Sequence, residues 1–369
     1  MQNKKIPLIL FLIISSMVIL AACSKDKDVI TVVPIDKVQL GRQLFFDKNL
    51  SNPIGQSCAS CHSPEAAFSD PAHSITSQGA VSRLFNNRNC PSVTYSSFAP
   101  AFRFDTTDSL YMGGFFFDGR VNSLQEQAKK PFLNQLEMNN TDAAMVVAKL
   151  RSADYYPLYK KIYGDATNVE QAFGNLADAI ATFEQSSQVN AFSSKFDDYL
   201  QGKAQLTEPE KRGFELFNDP LKGNCAACHI SDPDPDFGKV LFTDFTYDNI
   251  GVPKNPANPF YSIPSAFNPQ GTSALDYGLG GVLNDPAYYG HFKVPSLRNA
   301  ALTAPYFHNG FFTTLEEVVH FYNKRDVESF PTAEFPATVN HQEMGNLHLT
   351  TQEEKDIVAF LKTLSDGYK

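Results

Sequence analysis

No tryptophan occurs among the 369 residues, and methionine and cysteine number six each. The chain therefore has no indole to serve as a large hydrogen-bonding aromatic or as an easily oxidised side chain. Its aromatic content is carried by 31 phenylalanines and 15 tyrosines. Runs of like charge are also missing: the net charge is −9 with acidic and basic residues intermixed, which argues against a nucleic-acid partner. Beyond residue 20 no stretch is long and apolar enough to span a bilayer. No series of segments alternates apolar with polar residues as half-buried strands do. A chain of 369 residues suits two domains better than one.

What is present begins at the N-terminus. Lys4 and Lys5 precede an apolar run from Ile6 to Leu20, followed by Leu20-Ala21-Ala22-Cys23. This is the three-part plan of an export signal, and the small residues before Cys23 have the form of a bacterial lipobox. The expectation is that residues 1–22 are cleaved and Cys23 takes up lipid, giving a periplasmic protein tethered to the outer membrane. An ordinary signal peptide or an uncleaved anchor is the alternative.

Four of the other five cysteines fall in two matching patterns, Cys58-Ala59-Ser60-Cys61-His62 and Cys225-Ala226-Ala227-Cys228-His229. This spacing attaches c-type haem: two thiols form thioethers to the vinyl groups and the adjacent histidine ligates the iron. Disulfides would make small strained loops and leave the histidines without a purpose. A redox dithiol would not be expected twice with His after each copy, and zinc would need four ligands drawn from both distant motifs. Cys90 is expected to be a small buried apolar residue with no role.

Upstream of the motifs stand Gly41-Arg-Gln-Leu44-Phe45-Phe-Asp47 and Gly213-Phe-Glu-Leu216-Phe217-Asn-Asp219, two copies of one unit. Thr207 and Glu210 form a capping box with Pro209 near the first helical position. Thr313 with Glu316, and Thr351 with Glu354, are expected to cap two further helices, the first placing Leu315, Val318, Val319 and Tyr322 on one face and the second Ile357, Phe360, Leu361 and Leu364. Phe173, Leu176, Ala177, Ile180 and Phe183 mark another amphipathic helix. Residues 231–295, rich in Pro, Gly, Asn and Tyr, predict a long loop packed round the second haem. The fold expected is all-α: two cytochrome c-like haem domains with long irregular loops, at 23–202 and 203–369.

These residues resemble the bacterial di-haem cytochrome c peroxidases, a family that includes MauG-type proteins, which oxidise another protein. The resemblance runs from Leu40-Gly-Arg-Gln-Leu-Phe-Phe-Asp47 to the final helix. It is firmest at Phe117-Asp118-Gly119-Arg120, Glu126-Gln127-Ala128, Glu137-Met138, Val294-Pro295-Ser296-Leu297-Arg298-Asn299 and Thr303-Ala-Pro305-Tyr-Phe-His308-Asn-Gly310. It implies two covalent haems c, with hydrogen peroxide binding at the His62 iron and electrons entering at the His229 iron from a small cytochrome c or copper protein. It places Glu137 as the acid that moves protons during oxygen–oxygen cleavage and Gln127 beside it, a role that suits a carboxylate near an open iron. It also implies a calcium ion held through oxygen atoms at Asn89, Thr303 and Pro305. Dimers are common in that family, though no interface is legible in this chain.

Three positions depart from the family pattern. The second haem's sixth ligand is usually methionine in the peroxidases and tyrosine in MauG-type proteins, and the matching residue is Tyr322, with Met344 as the alternative. Phe117 stands where a tryptophan is common between the haems, so charge hopping there gives way to tunnelling or to a tyrosine such as Tyr111. His73 follows His62 by eleven residues and is a poorly spaced candidate for a histidine that blocks the peroxide site until reduction. His308 matches a family histidine near the inter-haem interface. The functions these features imply are peroxide reduction, then MauG-like oxidation of a protein or organic substrate, then plain electron transfer.

Overall fold

The computed structural model describes residues 34–369, so the expected signal, lipobox and Cys23 lie outside the described residues. No described helix is long and apolar enough to cross a membrane. The described chain is mostly helical, and its buried apolar side chains gather in two large clusters, one drawn from Val38 to Val189 and the other from Phe196 to Leu364, with a small third one at Phe115, Val121, Leu124 and Ala181.

The sequence repeat is a repeated helix crossing. In the first cluster the helix Ile35–Phe46 lies against Val169–Glu184. A Cβ on Gly41 would come within 1.9 Å of the Ala179 carbonyl oxygen, while the Phe45 and Phe183 rings meet at 5.2 Å. In the second, Glu208–Asn218 lies against Thr351–Lys362. A Cβ on Gly213 would fall 1.9 Å from the Asp356 carbonyl oxygen, and Phe217 meets Phe360 at 5.2 Å. The closing aspartates match too: Asp47 accepts the Asn49 N–H at 2.8 Å and Asp219 the Leu221 N–H at 2.9 Å, each turning the chain out of its helix. Glycine lets two backbones approach where any side chain would push them apart. Gly41→Ala and Gly213→Ala are therefore expected to destabilise by roughly 1–3 kcal/mol, overpacking outweighing the better helix propensity of alanine. Chemical denaturation of each variant checks this.

The capping box at Thr207 and Glu210 is present. The other two boxes each sit one residue earlier or later than expected: Thr314 with Glu317 caps Leu315–Lys324, and Thr350 with Glu353 caps Thr351–Lys362. Thr313 still contributes, donating to the Glu317 carboxylate from its N–H and hydroxyl. Residues 231–295 form a largely irregular excursion with one short helix, Leu279–Leu283, and short 3₁₀ turns. Two small antiparallel ladders, too short to show an alternating pattern, also form: Arg103–Asp105 with Leu110–Met112, and Tyr247–Asp248 with Phe292–Lys293.

One buried ion pair ties Lys195–Leu200 to the loops around the second motif. Arg298 is 1% exposed at its side chain and grips Asp197 through two bonds of 2.9 Å. Its Nε–H donates to the Val240 carbonyl at 2.6 Å, and its guanidinium lies 4.5 Å from the Phe192 ring and 5.0 Å from the Tyr95 ring.

Candidate functional site: two haem cradles on one cavity

Each Cys-x-x-Cys-His stretch forms a tight helical turn, Cys58–Cys61 and Cys225–Ala227. The histidine that follows points one ring nitrogen at backbone: His62 Nδ1 lies 3.2 Å from the Phe68 carbonyl and His229 Nδ1 lies 2.9 Å from the Phe242 carbonyl. With Nδ1–H donating there, Nε2 is the nitrogen left to bind a metal. All four thiols and both imidazoles line one continuous, mainly apolar cavity of about 500 Å³. The cysteines are free. Burial pushes Cys61, Cys225 and Cys228 up to about 12 and lowers His229 to about 4.

Among the described residues no three His, Cys, Asp or Glu side chains converge as a metal-binding group, which removes the joint zinc site. Paired thiols beside an oriented imidazole on an apolar slot fit haem c at both places.

Beside the first motif, Glu137 faces the cavity together with Gln127, Asn86 and Arg120. Gln127 comes from the helix Leu124–Leu133, capped by Ser123. Glu137 sits on the turn beyond it, clamped by Ala80 N–H donating to its carbonyl at 2.6 Å. The Asn86 amide donates to the Glu137 carboxylate at 2.5 Å. Desolvation pushes this carboxyl up to about 7, against the opposing pull of Arg120 and of hydrogen bonds from Asn134 and Asn86. An acid balanced near neutrality can both take and return a proton.

Residues 35–205 match the model of the di-haem cytochrome c peroxidase family. The methylamine utilization protein MauG of Paracoccus denitrificans is 36% identical, over 89% of this chain and 88% of the relative. The chain belongs to the di-haem cytochrome c peroxidase family. A second relative, the cytochrome-c peroxidase IdrP2 of Denitromonas iodatirespirans, is 31% identical over 89% of this chain and 82% of its own. Among solved structures, the diheme peroxidase BthA of Burkholderia thailandensis superposes with a TM-score of 0.79 at 33% identity, covering 90% of this chain and 86% of that one.

As a di-haem peroxidase family member, the chain places its departures as follows. Tyr322 and Met344 both line the cavity at the second motif, and the Gly345 N–H donates to the Tyr322 carbonyl at 2.7 Å. Burial raises the Tyr322 phenol. Phe117 lines the cavity, whereas Tyr111 stacks on Phe102 at 5.5 Å and is not part of the wall. His73 is exposed, its Nδ1 lies 2.9 Å from the Ala304 carbonyl, and it does not line the cavity. His308 is on the wall, stacked on Phe292 at 3.6 Å with Nε2 buried and unpartnered, and burial lowers it to about 4.

Asn89, Thr303 and Pro305 all line the cavity. The Asn89 amide nitrogen donates to the carbonyls of Ser74 and Ile75, which leaves the amide oxygen as the donor a hard cation would use.

Several wall residues carried no signal in the sequence. Glu184 is 5% exposed, its carboxylate has no hydrogen-bond partner among the described residues, and burial pushes it up to about 8. Lys293 is lowered to about 8 by burial; its ammonium donates to the Gly114 carbonyl and lies 5.6 Å from the Phe115 ring. A chain of alternating charge begins at the exposed Arg120, which reaches the buried Asp118 at 2.7 Å, and continues to Arg88 at 2.7 Å. Arg88 then clasps Asp276 at 2.6 and 2.7 Å. Burial would raise Asp276, but Arg88 holds it at about 2. Cys90 is half-buried, with its Sγ 3.3 Å from His62 Nδ1.

Proposed function

We propose that the protein reduces hydrogen peroxide to two waters with two electrons and two protons, the electrons arriving from a small cytochrome c or copper protein. The observation that carries this is the Glu137 carboxyl, held at the cavity wall by Asn86 and brought close to neutrality by desolvation. Bound haem would supply the redox-active iron and an open coordination position. The protein's own groups handle the protons. As a carboxylate, Glu137 takes the proton from the peroxide oxygen that approaches the metal and returns it to the oxygen that leaves, with Gln127 as a neighbouring polar contact. Asn86 fixes the carboxylate's position, and Arg120 favours its ionised form.

His62 then belongs to the peroxide site in 23–202 and His229 to the electron-entry site in 203–369. The same proposal has a calcium ion at Asn89, Thr303 and Pro305, and an exported periplasmic protein held at the outer membrane by lipid on Cys23.

A second function, MauG-like oxidation of a protein or organic substrate, is favoured by Tyr322 at the second cradle, since a phenolate ligand stabilises ferric iron. Plain electron transfer would need both irons closed by protein ligands, and the first cradle offers Glu137 and Gln127 on its open side. Steady-state consumption of peroxide by haem-loaded protein with a reduced small cytochrome c tests the proposal. Rapid turnover is expected. No turnover, even after pre-reduction, would overturn peroxide reduction and leave substrate oxidation.

A further inference from the structure

The repeated helix crossing gives both cradles the same piece of wall, and one position of it carries an acid in the first cradle only. Ala179 and Asp356 are the residues whose carbonyls meet Gly41 and Gly213, and Phe183 and Phe360 are the rings that meet Phe45 and Phe217. Ile180 therefore corresponds to Ile357, and Glu184 to Leu361. All four line the cavity, each pair four residues apart and so on one helix face.

Leucine fills this position in the second cradle by packing alone. In the first, the buried Glu184 carboxyl has no hydrogen-bond or ion-pair partner among the described residues, and burial is the one influence that moves it. Cations on the helices packed against Val169–Glu184 do not reach it. Lys37 pairs with Asp178, Lys149 donates to the Ser51 carbonyl and the Asn140 amide oxygen, and Arg151 donates to the Ala166 carbonyl. Arg42, Lys129 and Lys130 form no ion pair with it among the described residues. The titratable and charged groups that line the first cradle with it are Cys58, Cys61, His62, Glu137 and Arg120. The Glu184 charge acts on the Cys58 thiol more strongly than any other, and that of Glu137 reaches the same thiol. An unpartnered carboxyl in an apolar wall costs stability that leucine would not, so packing does not account for the acid, whereas its place beside the first attachment turn does.

We propose that Glu184 couples the redox state of the first haem to a proton: an electron entering at the His62 iron is accompanied by a proton onto the Glu184 carboxylate, and re-oxidation releases both. The electron comes from the donor and the proton from solvent, so ferric iron and carboxylate become ferrous iron and carboxylic acid. A ferric centre favours the ionised acid and a ferrous one the neutral acid, and in a water-poor slot with no cation paired to the acid this preference is felt strongly. The inference rests on His62 as an iron ligand and does not depend on peroxide being the substrate.

Potentiometric titration of the haem-loaded protein at a series of pH values tests it. The midpoint potential of the first haem is expected to fall as pH rises through about 8 and to level on either side. Glu184→Gln, which has the shape of the neutral acid, should remove this fall and leave the second haem's curve as in wild type, while Glu137→Gln should retain it. The reduced-minus-oxidised infrared spectrum should show a protonated-carboxyl C=O band that Glu184→Gln lacks. Glu184→Leu, which copies the second cradle, decides the case if the glutamine variant does not load haem. A fall that survives in a loaded Glu184 variant would overturn the proposal. So would a flat wild-type curve, or a fall and a band that vanish in Glu137→Gln instead. None of these readings needs turnover, so a protein inactive on peroxide still reports them.

Discussion

Glu137→Gln is expected to lower kcat/KM for hydrogen peroxide by about 10²–10⁴-fold, the usual contribution of a positioned general acid–base. The amide keeps the shape of the side chain and its contact to Asn86 but cannot take a proton. The wild-type profile carries the sign. The carboxyl ionises at about 7, and only the ionised form accepts the first proton, so kcat/KM should rise through that pH and level above it. The glutamine variant should lose this inflection. Stability follows the opposite trend. The folded carboxyl binds its proton more tightly than the ordinary 4.5, so between about 4.5 and 7 the native state holds more protons than the unfolded chain and loses stability as pH rises. The variant should be flatter across that window. A glutamine variant with wild-type kcat/KM and an unchanged profile would remove Glu137 from the proton path.

The largest stability effect is expected at Arg298. Arg298→Ala leaves Asp197 as a buried carboxylate without its partner, removes the donor to the Val240 carbonyl and uncovers Phe192 and Tyr95, a loss of about 3–5 kcal/mol by the measure of broken buried pairs. Burial alone would raise Asp197, yet the Arg298 hydrogen bonds and charge hold it below its ordinary 3.8. The stability this pair provides is therefore present above the unfolded value and lost as pH falls through the depressed one. Lys362 and Glu316, each 57% exposed, supply the contrast: Lys362→Ala should change stability by less than about 1 kcal/mol. Urea denaturation of both variants, with Asp197→Asn closing a double-mutant cycle, measures the difference. Comparable small effects at both pairs would show that the Arg298 pair contributes little.

The parts legible in the sequence are those whose chemistry is local. Haem attachment fixes Cys58, Cys61 and His62 within five consecutive residues, so spacing alone announces it. The recurrence of Gly41 and Gly213 marks a helix crossing because only a missing Cβ permits the approach. Tyr322 was placed by helical period and lines the cavity as its face required. The caps fall one residue from Thr313 and Thr351, because each is one of two consecutive threonines and either fits the pattern. What stayed hidden depends on distant partners. Asn86 meets Glu137 across 51 residues and Cys90 meets His62 across 28, and neither pairing leaves a periodicity. Arg88 and Asp276 lie 188 apart, with Asp276 inside the irregular 231–295 excursion. His73 is near His62 in sequence, but its left-handed backbone at φ 50° and its contact with the Ala304 carbonyl carry it elsewhere.

The phenylalanine at position 117 bears on how the molecule wears. If the protein reduces peroxide as proposed, a ring that resists oxidation would not carry a hole by hopping, and an oxidising equivalent left without a donor would fall on the side chains that border the cavity. The groups able to yield are Tyr95, Tyr306, Tyr322, Met138, Met344 and Cys90, all of which border that space. Sulfoxides and oxygenated or coupled phenols would accumulate from the inside outward, and the catalyst would age at its own centre while its surface stayed intact.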